Sequence, residues 1–272
     1  MQGRLSKTSG ERIQSFPIDS WKKEFQLARK LGFESIEWIF DDIKPNPILN
    51  DLGISEIKKI KKEYSINVNS VCADFFMTEK IFNENENNLE KNIDILKKLI
   101  LSANNLEIDM IELPFVDSSS IKNEKDKIQI INNLRKIFPL IDETGISILL
   151  ETDLNPLEFV EFLKKIEHPK VFANYDSGNS ASLGYKPKEE LEILKSWIKN
   201  IHIKDRVRNG HSVPLGTGDT NFESIFNSLF KIGYSNDLII QGSRILESKY
   251  SPEKTCEIYI KFVKEYLTKY YI

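Results

Sequence analysis

The chain has 272 residues, of which 40% are hydrophobic and 29% charged, and its formal net charge is −3. This is ordinary globular composition, and the acidic balance argues against a nucleic-acid partner. No apolar run is long enough to cross a bilayer and no secretory leader is expected. Cys72 and Cys256 lie too far apart in sequence to suggest a disulfide framework or a zinc knuckle, so reduced thiols in a cytoplasmic protein are expected.

Taken in order, Met1–Leu5 reads as the end of a strand whose start is missing. Asp19 caps a helix carrying Trp21, Phe25, Ala28 and Leu31, stopped by Gly32. Ser35–Phe40 is a short apolar run broken by Glu37, and Ser55 caps a helix with Ile57, Ile60 and Tyr64. Ile66–Phe76 alternates like a strand, and Asn83–Asn88 is a polar loop. Leu89, Ile93, Leu96, Ile100 and Ala103 mark an amphipathic helix. Asp109–Leu113 is the next strand, and a helix through Ile128, Ile131, Leu134 and Ile141 bends at Pro139 and ends at Gly145.

Ile146–Leu150 is strongly strand-like and terminates at Glu151. Asn155-Pro156 opens a helix to about His168, and Val171–Tyr175 is a strand ending at Asp176. Leu191, Leu194 and Ile198 mark another helix, followed by the strand Ile201-His202-Ile203, which runs into Lys204-Asp205-Arg206. Asn221–Ile232 is helical, Asp237–Ile240 is a strand ending at Gln241, and Ser251-Pro252 starts a last helix. Strands and helices thus alternate throughout. Seven clear strands plus the stunted first one predict a single (β/α)8 barrel over residues 1–272, with an open doubly wound sheet as the alternative.

In a barrel all strand tips converge on one rim. Glu151, Asp176, His202 and Gln241 would then gather as a hard, mainly oxygen site for one divalent metal, with Mn, Co, Mg and Zn all open. The bland reading is that strand-end carboxylates cap the following helices. Gly216-Thr217-Gly218-Asp219 is a poor nucleotide loop and reads as a turn.

Leu149-Leu150-Glu151-Thr152, Asn174 to Asn179, Ile201 to Asp205 and Pro214 to Gly218 together resemble the xylose isomerase-like barrel superfamily, in its sugar-phosphate isomerase/epimerase branch. Met1–Leu5 resembles the first strand tip of one subgroup. The resemblance implies a metal held by groups ending strands five to eight. It also implies that the first and last of these groups, both glutamates in the family's epimerases, act as acid/bases on opposite faces of the substrate carbon. Here they map to Glu151 and Gln241. An amide cannot take up a proton near neutral pH, which counts against two-base epimerisation and leaves Glu151 as the catalytic group. Arg208 falls where those relatives carry a substrate-binding arginine, and Asn179 where they often carry histidine. Glu37 and Glu112, near two further tips, are candidates for sugar hydroxyls or a second base. Lys204, Arg206, Arg244 and His211 are candidates for a phosphate or carboxylate.

The expected activity is a metal-dependent isomerase or epimerase of a small sugar or sugar phosphate, moving a proton beside a carbonyl through an enediolate. The rivals are a lyase on the same metal and a sugar-binding barrel that has lost catalysis at Gln241. A repair endonuclease on this barrel is disfavoured, because three histidines are too few for a multi-zinc cluster. Oligomeric state is open, a homodimer included.

Overall fold

The computed structural model describes residues 1–7 and 14–271. Seven parallel strands are hydrogen-bonded in sequence order: β1 (Trp38–Ile39), β2 (Ser70–Cys72), β3 (Met110–Phe115), β4 (Ser147–Thr152), β5 (Val171–Asp176), β6 (Ile198–Ile203) and β7 (Leu238–Ile240). The N-terminal segment closes the ring. Gln2 donates its backbone N–H to the Ile240 carbonyl at 3.2 Å, while Met1 accepts from Glu37 at 2.9 Å. This eighth stave is a single bridge, because Gly3 turns away with φ 52° and a side chain there would meet Ile39 Cδ1 at 2.4 Å. The architecture is a (β/α)8 TIM barrel with a very short first strand.

The strands bury both faces, as parallel staves do, and the helices pack apolar stripes around them. Trp21, Phe25 and Ala28 are the inward face of helix Trp21–Leu31, which ends at Gly32 in the left-handed conformation. None of the described helices is long and apolar enough to cross a membrane.

The structure moves several expected boundaries for local reasons. The helix expected from Ser55 begins at Asp51, because the Asn50 side chain already accepts the Gly53 N–H at 2.7 Å. The helix expected after a polar loop starts inside it, at Glu86, capped by Asn85. Only Ser70–Cys72 of the alternating run Ile66–Phe76 forms a ladder, and Asp74–Met77 turns into a 3-10 helix. The bend at Pro139 resolves into two helices, Glu124–Arg135 and Phe138–Thr144. Ile198 opens β6 instead of extending the preceding helix, which stops at Leu194. A short helix, Ser177–Leu183, was not anticipated, its only strong local signal being the Asp176 cap.

Helix Trp21–Leu31 carries a buried carboxyl. Glu24 is buried, its Oε1 has no hydrogen-bond partner, and burial, opposed by a bond from Ser6, raises its pKa to about 7. A carboxyl with a raised folded-state pKa holds its proton in the native chain after the unfolded chain has lost it. Stability therefore falls as pH rises from about 4.5 through 7. Replacing Glu24 with Gln should remove that slope, adding up to about 3 kcal/mol at pH 8 and little near pH 4.5. Melting curves against pH check this, and parallel curves for variant and parent would refute it.

Candidate active site

The carboxyl ends of β4 to β7 carry the four groups anticipated at the rim, and sheet register brings them level. Asp176 is the direct partner of His202, and Gln241 donates its backbone N–H to Ile203 at 3.0 Å. All four are almost fully buried. His202 Nδ1 lies 3.2 Å from Glu151 Oε2, 3.9 Å from Asp176 Oδ2 and 3.5 Å from Gln241 Nε2.

The other imidazole nitrogen is engaged from beneath. His202 Nε2 meets Glu37 Oε1 at 2.9 Å, and Glu37 Oε2 accepts from Ser70 Oγ at 2.7 Å and Asn200 Nδ2 at 3.0 Å. A carboxylate can only accept, so Nε2 carries a proton, and Nδ1 is the nitrogen that would give up its own proton to a cation bound at the rim. Burial opposes charge on this ring, yet Glu37 and Glu151 hold the His202 pKa well above its usual value. Burial opposes charge on Glu37 too, but the imidazolium draws its pKa below the ordinary carboxylate range. Glu112, whose Oε2 stands 3.9 Å from Nε2 without a hydrogen bond, is pushed well up by burial and then by Glu151.

Asp176-Ser177-Gly178-Asn179 builds the rest of the rim. Asp176 Oδ1 caps the following helix by accepting the Asn179 N–H at 2.8 Å, so the capping reading holds for one oxygen only. Oδ2 is buried without a hydrogen bond, 3.3 Å from Lys204 Nζ. Ser177 Oγ ties the β5 and β6 tips together by bonding both backbone groups of Lys204. Gly178 leaves room for the Lys204 stem, whose Cγ a side chain would meet at 2.7 Å. Asn179 then bridges outward and inward. Its Oδ1 accepts from Arg206 at 2.7 Å, and its Nδ2 donates to Glu151 Oε1 at 2.7 Å. Glu151 Oε2 accepts from Asn174 Nδ2 at 2.6 Å. Burial raises the Glu151 pKa, but the His202 contact and the Lys204 charge leave it net below normal. Asn155, not Glu151, caps helix Pro156–Ile166.

These residues suit a cation. Ligand atoms of Glu151, Asp176 and His202 lie within 4.8 Å of one another. Asp176 Oδ2, paired only with Lys204 Nζ at 3.3 Å, and Gln241 Oε1 are buried acceptors with no hydrogen bond, which is what a site built around a positive ion leaves behind. Gln241 Nε2 is spent on Gln2 Oε1 at 2.9 Å, so its oxygen is the free end.

The family model described as the xylose isomerase-like TIM barrel matches residues 25–264. The chain belongs to that family. An L-ribulose-5-phosphate 3-epimerase, UlaE, of Shigella flexneri is 22% identical over 236 residues, covering 82% of each chain. Among solved structures, this xylose isomerase-like barrel is similar to the IolI protein with a bound zinc atom (TM-score 0.77, 19% identity, 92% and 94% of the two chains). It is also similar to D-psicose 3-epimerase of Clostridium cellulolyticum H10 with D-tagatose (TM-score 0.74, 16% identity, 91% and 93% covered).

Other candidates from the sequence fall in different places in the barrel. Arg206 is engaged by Asn179 and the Gly210 carbonyl. Arg208 is exposed, with its guanidinium over Gly184. His211 is exposed on the same loop, where its carbonyl accepts from Val207. Arg244 binds the carbonyls of Gly3 and Ser6 and pairs with Glu247 at 2.7 Å. The Gly216–Asp219 turn is held by Asp205, whose carboxylate accepts the N–H groups of Gly216, Thr217, Gly218 and Thr220. Sequence reasoning missed Gln2, Arg4, Ser70, Asp74 and Asn200. Of these, Asn200 carries a signal: it alternates with His202 and so faces the same interior.

Proposed function

We propose that this chain is a divalent-metal-dependent isomerase or epimerase of a small sugar or sugar phosphate, working in carbohydrate metabolism. The observation that carries the reading is the buried set of Glu151, Asp176, His202 and Gln241, in which Asp176 Oδ2 and Gln241 Oε1 accept no hydrogen bond. The epimerase names among its relatives and neighbours support the substrate class. A metal bound by those four side chains would polarise the carbonyl and neighbouring hydroxyl oxygens of the sugar; the ion is one of Mn, Co, Mg or Zn. Glu151 then takes the proton from the adjacent carbon and returns it. Asn174 and Asn179 hold the carboxylate in place, and Glu37 fixes the imidazole. Glu112 and Asn179 are the proposed contacts for sugar hydroxyls.

Gln241 supports proton movement by one base, as in an aldose–ketose isomerisation. For the same reason, loss of water from a keto-sugar is the second reading. The two buried free thiols, Cys72 and Cys256, suit a reducing cytoplasm.

Chelator-treated protein should lose solvent-deuterium exchange into a ketose at least about 100-fold and regain it with one of the four metals. Exchange that persists without metal would sink the reading. Product mass separates the two chemistries, an isomerase giving an isobaric product and a lyase one lighter by water.

A further inference from the structure

Arg4 sits just past the stave that closes the barrel, on the same rim as Gln241. Only 2% of it is exposed, yet it makes no ion pair among the described residues. Its Nε donates to the Gly242 carbonyl at 2.7 Å and its Nη1 reaches the Gln2 carbonyl at 3.4 Å, while Nη2 has no hydrogen bond among the described residues. A second guanidinium, Arg244, stands close enough that, after burial, it is the largest influence lowering the Arg4 pKa, to about 10. Glu247 is taken up by Arg244. The carboxyl of Asp74, also near Arg4, is bonded by the Cys72 thiol and raised by burial to about 6. A buried guanidinium that lacks a contacting counter-charge, beside another, is costly unless an anion arrives.

The position is also braced. Arg244 ties down the Gly3 and Ser6 carbonyls on either side of Arg4. From the last helix, Cys256 Sγ donates to the Arg4 carbonyl at 3.2 Å, and the Tyr259 hydroxyl holds the Ser243 carbonyl at 2.6 Å. Such preorganisation is wasted on a solvated surface arginine and suits ligand recognition. Gln241 lies one residue before the Gly242 carbonyl that anchors Arg4.

Building on the proposed sugar reading, we infer that Arg4 is the contact for an oxyanion at the far end of the substrate, a phosphate monoester or a carboxylate, with Arg244 shaping the loop that presents it. A guanidinium fork with a free edge matches either group. The substrate is then an acidic sugar and not a neutral one.

Two measurements test this. Inorganic phosphate is titrated calorimetrically into chelator-treated protein, so that no metal contributes. The parent should bind, Arg4→Met should bind at least about 10-fold more weakly, and Arg4→Lys should fall between. Separately, kcat/KM is compared for a free ketopentose, its 5-phosphate and a sugar carboxylate. A preference for either anionic form supports the subsite and says which oxyanion it takes, and Arg4→Met should narrow that preference at least about 10-fold. No phosphate binding by the parent, equal binding by parent and variants, or equal use of neutral and anionic sugars would each overturn the inference. Should Arg4→Met not fold, Arg4→Lys and the parent titration still decide. If phosphate binding depends on Arg4 but no sugar is turned over, the anion subsite stands and the catalytic reading falls.

Discussion

Replacing Glu151 with Gln should cut deuterium exchange into a ketose substrate by roughly 1,000-fold while leaving the barrel folded. The carboxylate is the one group at the rim that combines three properties. It is titratable, it is held from both sides, by Asn179 on Oε1 and Asn174 on Oε2, and it lies against the nitrogen of His202 that faces the proposed metal site. Gln preserves shape but turns one acceptor into a donor. One of the two asparagine amides then faces an amide instead of an oxygen, a loss of about 1–3 kcal/mol that a stable barrel tolerates. Glu151 is also one of the four proposed ligands, and Gln replaces an anionic oxygen with a neutral one, so the metal concentration needed for half activity should rise while Asp176 and His202 keep the site. The loss of activity is therefore read in kcat at saturating metal, where it should persist. Circular dichroism verifies the fold and proton NMR of the substrate in deuterated water reads the exchange. Undiminished exchange would remove Glu151 from the chemistry.

The gathering of Glu151, Asp176, His202 and Gln241 was legible because each ends an apolar strand, and a parallel barrel must bring such ends together. The interior was legible only in part. His202 and Asn200 share a face by simple alternation. That their partner is Glu37 follows from ring closure between residues 165 positions apart, and no local pattern carries that information. The same holds for Gln2 and Arg4, which acquire meaning only when the one-bridge stave settles between β7 and β1. The rim loops were least legible. Arg206 looked like a free cation in sequence, but the Asp176-Ser177-Gly178-Asn179 turn places Asn179 within its reach and makes it a brace for Glu151. Asp205 looked like part of a charged cluster and instead gathers four backbone N–H groups.

The position that departs from the family's epimerases sets the sharpest further expectation. The substitution Gln241→Glu should introduce epimerisation at the exchanging carbon, raising formation of the opposite stereoisomer by at least about 100-fold over the parent. Strands β5 and β6 separate position 241 from Glu151, so the new carboxylate approaches from the other side of the mouth. Its surroundings can accept it. Gln241 Nε2 now donates to Gln2 Oε1, and the amide nitrogen of Gln2 is buried without a partner. Turning the Gln2 amide over would offer that nitrogen to the introduced carboxylate and satisfy both groups. Without a bound cation the change adds a further acid to Glu37, Glu112, Glu151 and Asp176 around His202, so the metal-depleted variant should melt below the metal-depleted parent. With metal the order should narrow or reverse, because an anionic oxygen replaces a neutral ligand. NMR of the product mixture distinguishes the two stereoisomers. A variant that binds metal more tightly yet still returns the proton to one face only would mean that side chain 241 does not reach the substrate carbon, and the proposed one-base reading would lose its ground in Gln241.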